Sequence, residues 1–209
     1  MTDTILLTGF EPFGGSEINP SILACREFED KVIEGYTVKV FEIPLLYKKI
    51  RTTIEQLIQH EQPLIVICTG QSSQHEISLE RVAINVADVI KSTYNCGESP
   101  KNELLTLDAP AGYFSTLPLQ HIKRDLEENK IPVNISNSAG TYGCNQIFFH
   151  LMHFINNENL NITAGFVHVP SLPEQVVGKK LPSMSLELTT KALGIIIDST
   201  IKYKEKSER

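Results

Sequence analysis

At 209 residues the chain suits one large domain, and its 41% hydrophobic content can fill a substantial core. The 21% charged residues and the formal charge of −6, from 19 basic and 25 acidic side chains, exclude a disordered chain and a nucleic-acid binder built on a basic face. No stretch approaches the roughly 18 apolar residues of a membrane helix, and Met1-Thr2-Asp3-Thr4-Ile5-Leu6-Leu7 lacks the basic region and apolar length of a signal peptide, so no membrane partner is expected.

In chain order, Thr4–Thr8 reads as a buried strand running into Gly9. Pro20–Phe28 reads as a helix, with Asn19 placed to cap it and Pro20 at its first position. Thr37–Ile43 alternates and stops at Pro44, as a strand does, and Tyr47–His60 carries helical spacing at Ile50, Ile54, Leu57 and Ile58. Leu64–Cys68 is a second fully apolar strand, ending at Thr69-Gly70. Ser78–Val89 alternates weakly, and residues 91–118 predict an irregular excursion with short strands. Leu119–Asn129 predicts a helix, Val133–Ser136 a strand, Cys144–Ile155 a helix, Gly165–Val169 a strand and Ser185–Ile201 a final helix, followed by a charged, frayed tail over 202–209.

This alternation predicts an α/β fold, a single-domain three-layer α/β/α sandwich with a mixed, mostly parallel sheet. In such folds ligands bind beyond the carboxyl ends of the strands. That rule selects the loops Gly9–Gly15, Gly70–His75, Ser136–Cys144 and His168–Pro173.

Cys25, Cys68, Cys96 and Cys144 are widely spaced, so neither a disulfide framework nor a metal site is expected, and no cofactor is called for. A reducing, cytoplasmic home fits that pattern. Asn134-Ile135-Ser136 and Asn161-Ile162-Thr163 match the glycosylation acceptor and are read as chance in a chain without a secretion signal.

Only Cys144 stands where chemistry is favoured. A strand ends at Ser136, a glycine-bearing loop follows, and the cysteine opens an amphipathic helix. The free N–H groups and partial positive charge of a helix start favour a thiolate and are suited to a developing oxyanion. Cys25 and Cys68, inside an apolar helix and strand, read as core residues, and Cys96 has no assigned role.

A cysteine nucleophile needs a base. Of the six histidines, His168 alone ends an apolar strand, and it shares the expected sheet edge with Cys144. Glu80 is a candidate to orient it, against the plain reading of a Glu80–Arg81 surface pair; Glu76 and Asp88 are rivals that spacing leaves open. The loop Thr8-Gly9-Phe10-Glu11-Pro12-Phe13-Gly14-Gly15 has the glycine spacing of a phosphate loop but lacks its Lys-Ser/Thr, so Phe10 and Phe13 suggest an aromatic pocket instead.

Together these segments resemble the pyroglutamyl peptidase I family. The resemblance covers residues 4–200 and rests on Leu7–Gly15, Ile18-Asn19-Pro20-Ser21, Ser78–Asn85, Tyr113–Pro118, Ser138–Asn145, Gly165–Pro170 and Pro173-Glu174-Gln175. It implies a Cys144–His168–Glu80 triad, hydrolysis after an N-terminal 5-oxoproline, and a substrate pocket including Phe10, Phe13, Asn19, Gln71 and Tyr142. It also implies a cytoplasmic homo-oligomer, a tetramer, whose partners are peptides with N-terminal pyroglutamate. Three departures stand out. Ile90 occupies the place of a family arginine, the loop Gln71–His75 lacks a Gly-Arg pair and is a residue short, and Gly143 replaces a bulky apolar residue, which predicts a looser pocket wall.

Overall fold

The computed structural model describes residues 3–89 and 94–207. Ile90, the departure expected near the oxyanion, lies outside the described residues.

The strands of the central sheet are β1 (Asp3–Phe10), β2 (Val32–Ile33), β3 (Tyr36–Ile43), β4 (Ile65–Ser72), β5 (Ile77–Glu80), β8 (Val133–Ser136) and β9 (Thr163–Pro170). Their order is β2-β3-β1-β4-β9-β5-β8. A separate antiparallel pair is made by β6 (Val82–Ile84) and β7 (Gly112–Phe114). The helices are α1 (Pro20–Arg26), α2 (Tyr47–Glu61), α3 (Leu119–Glu128), α4 (Gly143–Asn157) and α5 (Leu186–Ser207).

Strands that alternate faces and bury both need helices on both sides. Ile5 and Leu7 of β1 pack into one core with α1, α3 and α5, while Leu6 and Phe10 face a second core with α2 and α4. Phe166 and Cys68 also face the second core. Pairs β3–β1, β1–β4 and β4–β9 are parallel, as expected of crossover units.

Three features differ from the sequence reading. First, the sheet is mixed as expected, but β5 runs antiparallel to β9 and β8 parallel to β5, so the end of β8 is not at the edge where the sequence reading put it. The carboxyl end of β8 therefore points away from the edge where β1, β4 and β9 end, and in the Ser136–Cys144 loop that follows, Gly140 takes φ 78°. Second, the weakly alternating 78–89 segment is two short strands broken at Arg81, whose N–H donates to the Ser136 carbonyl. Third, α5 continues to Ser207 instead of ending at Ile201, because Lys204 is buried against the fold and extends the packed face.

Asn19 caps α1 as expected. Its Oδ1 accepts from the Ser21 N–H at 3.1 Å and from the Ser21 hydroxyl at 2.8 Å.

Candidate active site

Antiparallel pairing of β5 with β9 sets Ser78 opposite His168 and Glu80 opposite Phe166. Glu80 and His168 are then diagonal neighbours on one sheet face, within reach of each other. His168 Nδ1 lies 2.7 Å from Glu80 Oε1, with Glu80 2% and His168 8% exposed. Of the three acidic candidates, Glu80 is the one bonded to His168. Glu76 instead accepts from Asn134 Nδ2, and the Asp88 backbone pairs with Thr141. Glu80 is no surface partner of Arg81.

Cys144 is the other group that acts on His168. Burial alone would push the His168 imidazolium down; the Cys144 sulfur, by charge and hydrogen bond, and then Glu80 outweigh it and raise His168 to about 10. The result is a thiol–imidazole–carboxylate line on the face covered by α4.

The start of α4 is fixed by a set of side chains that the sequence reading did not single out. Asn145, fully buried, donates from Nδ2 to the Ile84 and Val86 carbonyls at 2.9 and 3.0 Å and accepts from the Ile84 N–H at 2.9 Å. Gln146 donates to the Tyr47 carbonyl at 2.7 Å, and Thr141 exchanges two bonds with the Asp88 backbone. Tyr142, the N-cap residue, makes no side-chain cap bond to the first-turn N–H groups. The only available signal for these roles was their place beside the cysteine in one motif.

Gly70 of β4 makes room for the sulfur. A Cβ there would stand 2.8 Å from Cys144 Sγ and 2.8 Å from Phe166 Cζ, closer than real contacts allow. The sequence reading placed Gly70 at a strand end and at the start of a candidate loop, without this packing role.

On the other side of Cys144 lies an aromatic wall. Phe10 is buried beneath Gly143, and the Phe13 and Tyr142 rings meet edge to face at 6.5 Å. Tyr94, which the sequence reading left unassigned in the irregular region, backs Tyr142 at 4.6 Å. Gln71 and Phe13 border a cavity of about 420 Å³. The Gln71 amide is engaged within the protein, donating to Ser171 Oγ at 2.8 Å and accepting from Gln175. Asn19, 1% exposed, spends its amide on the α1 cap and on the Glu11 carbonyl, so in this structure it shapes the phenylalanine loop from beneath. Gly143 does not loosen the wall as expected: Leu45 Cδ1 fills the space a side chain there would take.

Cys25 and Cys68 sit in the two cores, and burial pushes both thiols up to about 12. Among the described residues no group of His, Cys, Asp and Glu is arranged to hold a metal ion, and no helix is long and apolar enough to cross a membrane.

Fold and site together define an α/β/α protein with a cysteine at a helix start facing a histidine–carboxylate pair. The model of the family described as pyroglutamyl peptidase matches residues 3–203. The pyrrolidone-carboxylate peptidase of Thermosipho africanus is 44% identical over 200 residues, covering 95% of this chain and 97% of that protein. That of Bacillus licheniformis is 40% identical, covering 93% and 91%. Among solved structures, the pyrrolidone carboxyl peptidase of Thermococcus litoralis superposes with a TM-score of 0.94 at 37% identity, over 99% of this chain and 96% of that one. The pyroglutamyl peptidase I of Bacillus amyloliquefaciens gives 0.92 at 35%, over 96% and 95%. The chain belongs to the pyroglutamyl peptidase family.

Proposed function

We propose that this protein is a cysteine peptidase that hydrolyses the bond after an N-terminal pyroglutamyl residue, with Cys144 as nucleophile, His168 as general acid and base, and Glu80 as the group that orients His168. The observation that carries the reading is the buried Glu80–His168 bond at 2.7 Å, with Cys144 acting on the same imidazole, in a chain of this family.

In the first half-reaction the Cys144 thiolate attacks the pyroglutamyl carbonyl. The carbonyl oxygen takes up negative charge facing the uncapped N–H groups at the start of α4. The C–N bond then breaks, and the leaving amine takes the proton held on His168. Neutral imidazole next takes a proton from water, the resulting hydroxide attacks the thioester, and 5-oxoproline departs as the thiolate re-forms. Glu80 keeps Nδ1 occupied, so that Nε2 is the nitrogen that moves the proton.

The ring to be bound is a neutral lactam. Phe10, Phe13 and Tyr142 offer it an apolar slot, Gln71 frames its edge, and Asn19 holds the phenylalanine loop in place. A free amino terminus in that slot would strand an ammonium among aromatic rings, which rejects ordinary peptides. The working form is assigned to the cytoplasm as a homo-oligomer, a tetramer on the family resemblance, acting without a cofactor.

The test is release of a chromophore from a pyroglutamyl arylamide by the wild type, abolished in Cys144→Ser. A wild type as inactive as that variant, while still binding the amide, would convert the reading into a binding protein without turnover.

A further inference from the structure

The segment Pro173-Glu174-Gln175 takes no part in the mechanism above. It opens one short helical turn, Pro173–Val176, shortly after β9, the strand that holds His168. Gln175 is half-buried there and joins this turn to the β1–α1 loop and to the end of β4. Its Nε2 shares two N–H groups among Ser16 Oγ at 3.0 Å, the Ile18 carbonyl at 3.2 Å and Gln71 Oε1 at 3.3 Å. Its Oε1 accepts from the Leu172 N–H at 2.8 Å. That last bond fixes the amide's orientation, because the reversed amide would set an NH₂ group against an N–H.

The partners of Gln175 belong to the walls of the ring slot. Ser16 closes the turn that begins at Phe13, donating its N–H to the Phe13 carbonyl at 3.1 Å. The centre of that turn is Gly14 and Gly15, at φ 63° and 80°, a left-handed conformation that glycine adopts freely and that is soft without an anchor. The Ser16 hydroxyl donates to the Ile18 carbonyl at 2.8 Å, so its oxygen is left to accept from Gln175. Gln71 donates to Ser171 Oγ, and its Oε1 is the end held by Gln175. Phe13, Ser16, Gln71 and Gln175 all line the cavity of about 420 Å³.

The structure assigns Gln175 as a positioning residue for recognition of the lactam ring. It ties the turn bearing Phe13 to Gln71, and so sets the spacing between the apolar face and the polar edge of the slot before substrate arrives. None of its hydrogen bonds touches Cys144, His168 or Glu80. Loss of the tie therefore falls on ring binding, through lost pre-organisation, and not on the chemical step. The assignment rests on the peptidase reading above and adds to it a residue that acts through Phe13 and Gln71.

Two variants test it, Gln175→Ala and Gln175→Glu. The glutamate keeps an acceptor for the Leu172 N–H, and with it the local turn, but loses the donors and sets a carboxylate against Gln71 Oε1 and the Ile18 carbonyl. Each is measured for KM and kcat on a pyroglutamyl arylamide, and for the inhibition constant of γ-butyrolactam, the bare ring. In both variants KM and the inhibition constant are expected to rise about tenfold, the scale of losing one or two neutral hydrogen bonds, with kcat kept within about threefold. Ser16→Ala should raise KM by less in the Gln175→Ala background than in the wild type, because the shared bond is already gone. A lowered kcat with KM and the inhibition constant unchanged is what a smaller folded fraction gives, and would overturn the assignment; wild-type constants in Gln175→Glu would do the same. No arylamide turnover by the wild type, matching Cys144→Ser, would overturn the peptidase reading and this assignment with it.

Discussion

Leu45 and Gly143 share one volume: the Leu45 Cδ1 atom occupies the place where a side chain on Gly143 would begin. Residue 143 stands directly before the cysteine, and Phe10 lies 3.7 Å from the same point. The aromatic wall beside Cys144 is therefore completed from the β3–α2 connection, not from the helix that carries Cys144. Gly143→Val is expected to overpack this point, lowering stability by about 1–3 kcal/mol and reducing pyroglutamyl arylamide turnover. Combining it with Leu45→Ala should recover much of both losses, as a shared volume requires. Urea denaturation and steady-state kinetics on the four proteins of the cycle measure this.

The Glu80–His168 pair predicts a signed dependence on pH. Burial opposes the imidazolium, but Cys144 and Glu80 together raise His168 from 6.5 to about 10. Between those values the folded protein keeps a proton that the unfolded chain releases. The contribution is thus fully present below 6.5 and is lost as pH rises to about 10. Glu80→Gln should flatten the fall in stability across this window and shift the alkaline limb of the kcat/KM profile to lower pH. Its turnover should drop by about 10² to 10⁴, the usual scale for loss of an orienting carboxylate or of proton transfer. Denaturation at several pH values, beside the pH–rate profile, checks both.

Cysteine reactivity should divide sharply. Burial pushes Cys25 and Cys68 up to about 12, and both are inaccessible, whereas Cys96 is exposed and Cys144 is half-buried at the site. Iodoacetamide at neutral pH is expected to label Cys144 and Cys96 in the native protein and to spare the other two. Peptide mass spectrometry should show activity loss tracking Cys144 modification, and Cys96→Ser should leave the inactivation rate unchanged.

Gly70 and Asn145 fix the surroundings of Cys144. Gly70→Ala would press a methyl group against Cys144 Sγ and the Phe166 ring, each 2.8 Å from that point. A loss of kcat of at least about tenfold is expected, since displacement of about 1 Å can cost as much as a hundredfold. Asn145→Ala removes three hydrogen bonds to the β6 segment and leaves buried backbone groups unpaired. It should cost stability by about 1–3 kcal/mol and lower kcat more than it raises KM, because it frees the start of α4 without touching Phe10 or Phe13. Thermal melts and a kcat–KM split distinguish these effects.

Much of the architecture was legible in the chain itself. Apolar runs such as 64–68 and 165–169 have to be strands buried on both faces, and the Asn19-Pro20 pair marks a helix start by its own chemistry. The cysteine at a helix start and the histidine at a strand end were likewise local facts, readable from composition and spacing. The direction of β5 and β8 was not, because strand polarity depends on which edge of the sheet a segment joins, and four-residue strands carry no record of it. That polarity makes Glu80, instead of Glu76 or Asp88, the diagonal neighbour of His168. The filling of the Gly143 gap by Leu45 and the clamping of Asn145 by β6 are equally tertiary, since each joins residues more than 60 positions apart or fills a space that no single segment defines. Sequence determined which side chains could do chemistry, through local backbone and helix-end physics; only the packed sheet decided which of them meet.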